Sequence, residues 1–95
     1  MIFIEIDISE VAKSSFIIID IRDEFSYQKN HLKNTINVPF TKLIIEPGRY
    51  LNKKNKYLLV CEYGIKSKKT ASILNNMGYH TFSLKAGIKN KKINY

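Results

Sequence analysis

The stretch that most constrains this chain runs over residues 57–77, where an apolar run meets the sole cysteine, a glycine turn and a helix pattern. Tyr57-Leu58-Leu59-Val60 is continuously apolar and reads as a buried strand. Cys61 stands at its end and Gly64 marks a tight turn. Ser67 is expected to cap a helix over 67–77, with Ala71, Ile73, Leu74 and Met77 at its apolar positions. Such a strand, loop and helix start bring backbone N–H groups and the positive end of the helix dipole toward one point, where they stabilise an anion. The Cys61 thiolate is the anion this sequence places there, and Lys66, Lys68 and Lys69 are expected to add positive charge nearby. An isolated free cysteine is more often a small buried hydrophobe. The loop and helix start behind Cys61 favour a reactive thiol instead.

Strand and helix signals alternate along the rest of the chain. Residues 2–6 read as a short strand, and 7–12 as an Asp7 cap with one or two helical turns. Phe16-Ile17-Ile18-Ile19 suits a strand buried on both faces of a parallel sheet. Residues 23–27 open a short helix with Asp23 and Glu24 at its positive end. Residues 35–38 form a strand stopped by Pro39, and 41–45 begin a helix that Pro47-Gly48 should break. Gly78 caps the cysteine helix, 81–84 form the last strand, and Gly87 turns the chain into a lysine-rich tail over 89–95. Five strands separated by helical pieces imply one α/β domain over residues 1–95, with a mainly parallel sheet. Ligands bind beyond the carboxyl ends of strands in such sheets, which is where Cys61, Asp20 and Arg22 fall.

Composition removes several function classes. No apolar run approaches the ~20 residues needed to span a bilayer, so no membrane role is expected. The start of the chain is interrupted by Glu5 and Asp7 and lacks the pattern of a signal peptide. With a single cysteine, no internal disulfide can form; a reducing, cytoplasmic location is expected. The formal charge of +8 invites a nucleic-acid function, but fourteen of the sixteen basic residues are lysine. Arginine, the residue suited to bidentate base and phosphate contacts, is nearly absent, which argues against that function. His31 and His80 have no metal-ligand spacing with Cys61, so no metal site is expected. His31 reads as a local hydrogen-bonding residue before the third strand, and His80 as a surface residue.

Cys61-Glu62-Tyr63-Gly64-Ile65-Lys66-Ser67 resembles the active-site loop of rhodanese-like domains, usually Cys-x-x-Gly-x-Arg-Ser. Ile18-Ile19-Asp20-Ile21-Arg22-Asp23 is similar to that family's Asp-Val-Arg strand end, and Phe25-Ser26-Tyr27 to its Glu-Tyr stretch. Asn30-His31-Leu32-Lys33-Asn34-Thr35-Ile36-Asn37-Val38-Pro39 resembles Gly-His-Ile-x-Gly-Ala-x-Asn-Ile-Pro. Ala71-Ser72-Ile73-Leu74, Met77-Gly78-Tyr79 and Leu84-Lys85-Ala86-Gly87 resemble the closing helix and strand, so the likeness runs over residues 16–88. Four positions differ: Lys66 stands where the family has arginine, and Asn30, Asn34 and Ala86 stand where it has glycine.

The resemblance implies a single rhodanese-like domain, its five-stranded sheet flanked by helices on both faces. It also implies a sulfurtransferase that moves a sulfane sulfur through a Cys61 persulfide. The donor would be a small sulfur-containing anion such as thiosulfate, or a persulfide donor protein, and the acceptor a thiol or cyanide. Glu62, Tyr63, Gly64, Ile65, Lys66 and Ser67 would form the substrate-binding loop, with Asp20 and Arg22 in support and no cofactor. Only four residues separate Cys61 from Lys66, a ring that suits a sulfur atom better than a phosphate group. The other implied class is a rhodanese-like protein-binding or regulatory module without turnover.

Overall fold

The computed structural model describes residues 4–11 and 15–89; Ile2, Phe3, Ala12 and the tail beyond Lys89 lie outside the described residues. The elements are β1 (Glu5–Ile6), α1 (Ile8–Val11), β2 (Ile17–Asp20), α2 (Glu24–Lys29), β3 (Thr35–Asn37), α3 (Phe40–Ile45), α4 (Pro47–Tyr50), β4 (Lys56–Val60), α5 (Ile65–Asn76) and β5 (His80–Leu84). The strands form one sheet in the order β1-β5-β4-β2-β3, with every pairing parallel. β4 is therefore central, between β2 in the register Asp20–Val60 and β5 in the register Leu59–Ser83.

Alternation along β4 separates two cores. Tyr57, Leu59 and Cys61 pack with Leu43 of α3, Leu51 after α4, and Ala71 and Leu74 of α5. Leu58 and Val60 face the other way, among Leu84, Ile88, Val11, Phe16 and Leu32. Helices thus cover both faces, and burial of a side chain such as Leu74 contributes about 1.5–3 kcal/mol. The β2 run is buried only toward its carboxyl end: Ile17 is exposed and Ile18 half-buried, while Ile19 and Asp20 are buried.

Local chemistry sets the element ends. Asp7 accepts from Ser9 N at 3.0 Å at the start of α1, and Asp23 accepts from Ser26 N at 2.8 Å at the start of α2. Pro47 ends α3, as its sequence suggested, but it also takes the first position of α4, where its missing N–H costs nothing. Gly78 follows α5 with φ 96°, the left-handed conformation of a helix C-terminus. Asn34 adopts φ 62° and Ala86 φ 63°, whereas Asn30 is extended, so only Asn34 needs the tolerance of asparagine for positive φ. Asn75 then ties α5 to β5, accepting from Thr81 N at 2.8 Å and donating to Thr81 O at 3.0 Å.

Candidate active site

Cys61 leaves the end of β4 and is 5% exposed, at the floor of a surface cleft. Two backbone donors point at its Sγ, Gly64 N at 3.2 Å and Ser67 N at 3.3 Å. The Ser67 hydroxyl stands 3.2 Å from the same sulfur. N–H groups so placed favour negative charge on sulfur. Ser67 is not the helix cap that its position suggested: α5 already begins at Ile65, and Gly64 occupies the cap with φ 88°. The cause is the tightness of the loop, which turns into the helix before Ser67 and leaves the serine within the first turn, facing the thiol.

The turn after β5 clamps this loop. Ile88 N donates to Cys61 O at 3.1 Å, and Lys89 N donates to Glu62 O at 3.0 Å. Gly87, at φ 66°, lies against the Glu62 carbonyl so closely that a Cβ would overlap it. A Cβ on Gly64 would meet Ala86 N at 3.0 Å and Leu84 O at 3.1 Å. Both glycines are thus fixed by the approach of two backbones as well as by their φ.

Ser83 completes the cradle and was not anticipated from the sequence. Its Oγ lies 2.6 Å from Ser67 Oγ, both residues are fully buried, and both hydroxyls reach Gly64 O, at 3.3 Å from Ser67 and 3.4 Å from Ser83. The available signal was the alternation of Thr81 and Ser83 with Phe82 and Leu84, which puts two hydroxyls on the strand face toward α5. Ser83→Ala is expected to cost about 1 kcal/mol, the value of a typical hydrogen bond, because Ser67 keeps its other partners. Urea unfolding measures this.

Asp20 and Arg22 support the loop without touching the sulfur. Arg22 Nε lies 3.0 and 3.1 Å from the two Asp20 carboxylate oxygens, and its Nη2 donates to Asp20 Oδ2 at 2.7 Å and to Asn30 O at 2.6 Å. Arg22 Nη1 is 3.8 Å from Glu62 Oε1, so one guanidinium links β2, the end of α2 and the cysteine loop. Burial opposes its charge, but the hydrogen bonds and charge of Asp20, with Glu62 and Asp23, outweigh burial and raise its pKa further. The backbone N–H of Ser26 holds the Asp23 carboxyl below its ordinary range.

The cleft holds about 740 Å³, and all of Glu62, Tyr63, Ile65 and Lys66 line it. Tyr63 and Ile65 are exposed rim residues. Lys66 Nζ sits 4.3 Å from the centre of the Phe40 ring, a cation–π contact across the cleft. Lys68, expected to add charge near the cysteine, turns away and pairs with Glu5 at 3.2 Å; it does not line the cleft. A one-residue step along a helix rotates a side chain by about 100°, which separates Lys68 from Lys66 and Lys69. His31 Nδ1 lies 2.7 Å from Tyr27 O and its ring stacks on Tyr27 at 3.8 Å, a local structural role. His80 is exposed on β5. Among the described residues no helix is long and apolar enough to cross a membrane.

Residues 7–92 match the rhodanese-like domain family. The chain is 30% identical over 86 residues to "Thiosulfate sulfurtransferase GlpE" of Coxiella burnetii, covering 90% of this chain and 79% of that protein. It is 36% identical over 74 residues to "tRNA sulfurtransferase" of Thermoplasma acidophilum, covering 70% of this chain but only 14% of that much longer protein. A crystal structure of a rhodanese-related protein from Thermoplasma volcanium superposes with TM-score 0.82 at 22% identity, over 92% of this chain and 88% of that one, which establishes the shared fold.

Proposed function

We propose, from the premise that the chain belongs to the rhodanese-like domain family, that it is a sulfurtransferase using Cys61 as its sulfur carrier. The observation that supports this most is the cradle: a strand-end thiol that accepts two backbone N–H groups at the floor of a cleft. The Cys61 thiolate attacks the sulfane sulfur of a donor such as thiosulfate or a protein persulfide. A bond forms between Cys61 Sγ and that sulfur, and the donor's sulfur–sulfur bond breaks, releasing sulfite or a thiolate. The resulting persulfide keeps its negative charge near the loop N–H groups, which act as an oxyanion hole does for oxygen. A thiolate or cyanide then takes the outer sulfur and Cys61 leaves as thiolate, so the kinetics are ping-pong. A cytoplasmic setting fits a carrier whose sole cysteine must stay reduced.

Lys66 stands where the family's arginine would meet an anionic donor. Its ammonium is a compact charge without a planar two-pronged donor. Lys66→Arg is expected to improve thiosulfate use, and Lys66→Ala to raise KM for thiosulfate more than for a neutral persulfide. Lys66 is exposed, so the effect follows the ~0.2–1 kcal/mol of surface charge pairs, up to about fivefold. Thiocyanate formation from thiosulfate and cyanide, with steady-state kinetics of the three proteins, tests both the activity and this role. No thiocyanate from any sulfane donor would leave the rhodanese-like binding module as the better account.

A further inference from the structure

A chain of buried side chains runs inward from the cleft floor, from Cys61 after β4 through Ser67 of α5 to Ser83 of β5. Ser67 and Ser83 are 0% exposed, so water serves neither hydroxyl. Each hydroxyl has one proton to donate, and several acceptors compete for it. Ser67 Oγ lies 3.2 Å from Cys61 Sγ and 2.6 Å from Ser83 Oγ, and both hydroxyls lie within 3.4 Å of Gly64 O. With Cys61 as a thiol, its S–H donates to Ser67 Oγ and Ser67 donates to Gly64 O, so Ser67 is satisfied without Ser83. With Cys61 as a thiolate the sulfur has no proton to give, and the Ser67 O–H turns to it. Ser67 Oγ has then lost the donor it had, and the Ser83 hydroxyl stands within reach to replace it. Gly64 O loses little by the exchange, because Lys68 N still donates to it at 3.2 Å.

We propose that Ser83 is a positioning residue for the nucleophile, aiming the Ser67 hydroxyl at Cys61 Sγ whenever that sulfur carries negative charge. The chain Ser83 to Ser67 to Cys61 adds a third donor to the N–H groups of Gly64 and Ser67, and each bond in it polarises the next. Its use in turnover rests on the sulfur-transfer function. When cyanide takes the outer sulfur, the electron pair of the broken sulfur–sulfur bond passes to Cys61 Sγ. The hydroxyl chain meets that charge without giving up a proton. Other charges also face this sulfur. Arg22 and Asp23 after β2, Glu62 and Tyr63 in the loop, and Lys66 and Lys69 on α5 line the cleft with Cys61, while the α3 residues lining it are uncharged. From β1, Glu5 stands in register with Ser83 and pairs with Lys68 at 3.2 Å. A substitution of Ser83 removes none of these charges, so its effect on Cys61 reads the hydroxyl chain.

Cys61 is the sole cysteine, so its alkylation by iodoacetamide, followed by intact mass against pH, reports this sulfur alone. The thiolate forms the new sulfur–carbon bond and expels iodide, so the rate follows the fraction of thiolate and requires no sulfur transfer. Ser83→Ala leaves the thiol form satisfied and the thiolate form short of a donor. Its profile is expected to move toward higher pH by about half to one unit, a fall of about three- to tenfold in rate at the foot of the profile. Ser67→Ala should move the profile at least as far, and Ser83→Ala added to it should move it no further. That lack of additivity separates action through Ser67 from a general loosening of β5. A profile unmoved in Ser83→Ala, or moved equally with and without the Ser67 hydroxyl, overturns the inference. A displaced profile in a protein that transfers no sulfur would overturn only the sulfurtransferase function; thiocyanate formation with an unmoved profile would overturn only the role of Ser83.

Discussion

Cys61→Ser is expected to lower sulfur transfer at least about a thousandfold, to the detection limit, while the domain stays folded. The hydroxyl oxygen of serine can accept from Gly64 N and Ser67 N as the sulfur does, so the loop keeps its donors satisfied. It is nevertheless a poor nucleophile toward sulfane sulfur and cannot hold a persulfide. Two measurements check the pair of statements: thiocyanate formation from thiosulfate and cyanide, and the urea midpoint. The midpoint should move only slightly, because a sulfur-to-oxygen exchange leaves the packing around Leu59 and Ala71 almost unchanged. Thiocyanate formation at the parent rate in the serine protein would mean that sulfur passes directly from donor to acceptor, with Cys61 a bystander.

Asp20→Ala is expected to have the largest effect on stability, about 3–5 kcal/mol, the cost of stranding one member of a buried ion pair. Asp20 is fully buried and the Arg22 side chain is 7% exposed, so water cannot replace the lost carboxylate. The alanine also removes the acceptor for Arg22 N, which bonds to Asp20 Oδ1 at 3.0 Å. A small domain has a total stability of about 5–15 kcal/mol, so this single change removes a large part of it. Glu62→Gln is the contrast. Its partner distance is 3.8 Å and its side chain 41% exposed, which places the expected loss at about 0–1 kcal/mol. Urea unfolding of the two variants separates the cases; equal, small losses would show that Arg22 is satisfied without Asp20.

The parts of this molecule that were legible in the sequence are those encoded within a short span of chain. Tyr57 to Cys61, Gly64 and the apolar positions of α5 are contiguous, and their pattern carries the strand, the loop and the helix without tertiary information. Gly78 and Gly87 stand at positive φ, as turn positions should. Ser67 shows the limit of a local rule. A serine ahead of a helical pattern reads as a cap, but the cap must adopt positive φ where the Leu84–Gly87 backbone crowds it, and only Gly64 satisfies both. Lys68 shows another limit, since charge within a loop sequence says nothing of the side toward which a helix turns it. Ser83, Phe40 and Ile73 reach the site only through the strand order and the packing of α3 beside α5. Strand order depends on which crossovers bury the apolar faces best, and the periodicity of single segments does not contain it.

Intact mass spectrometry after incubation with thiosulfate or polysulfide reads directly whether Cys61 carries sulfur. The parent protein should gain the mass of one sulfur atom, lose it to dithiothreitol or cyanide, and show no gain as Cys61→Ser. A parent protein that gains no sulfur from either donor, or a serine variant that gains as much as the parent, would rule out Cys61 as the sulfur carrier.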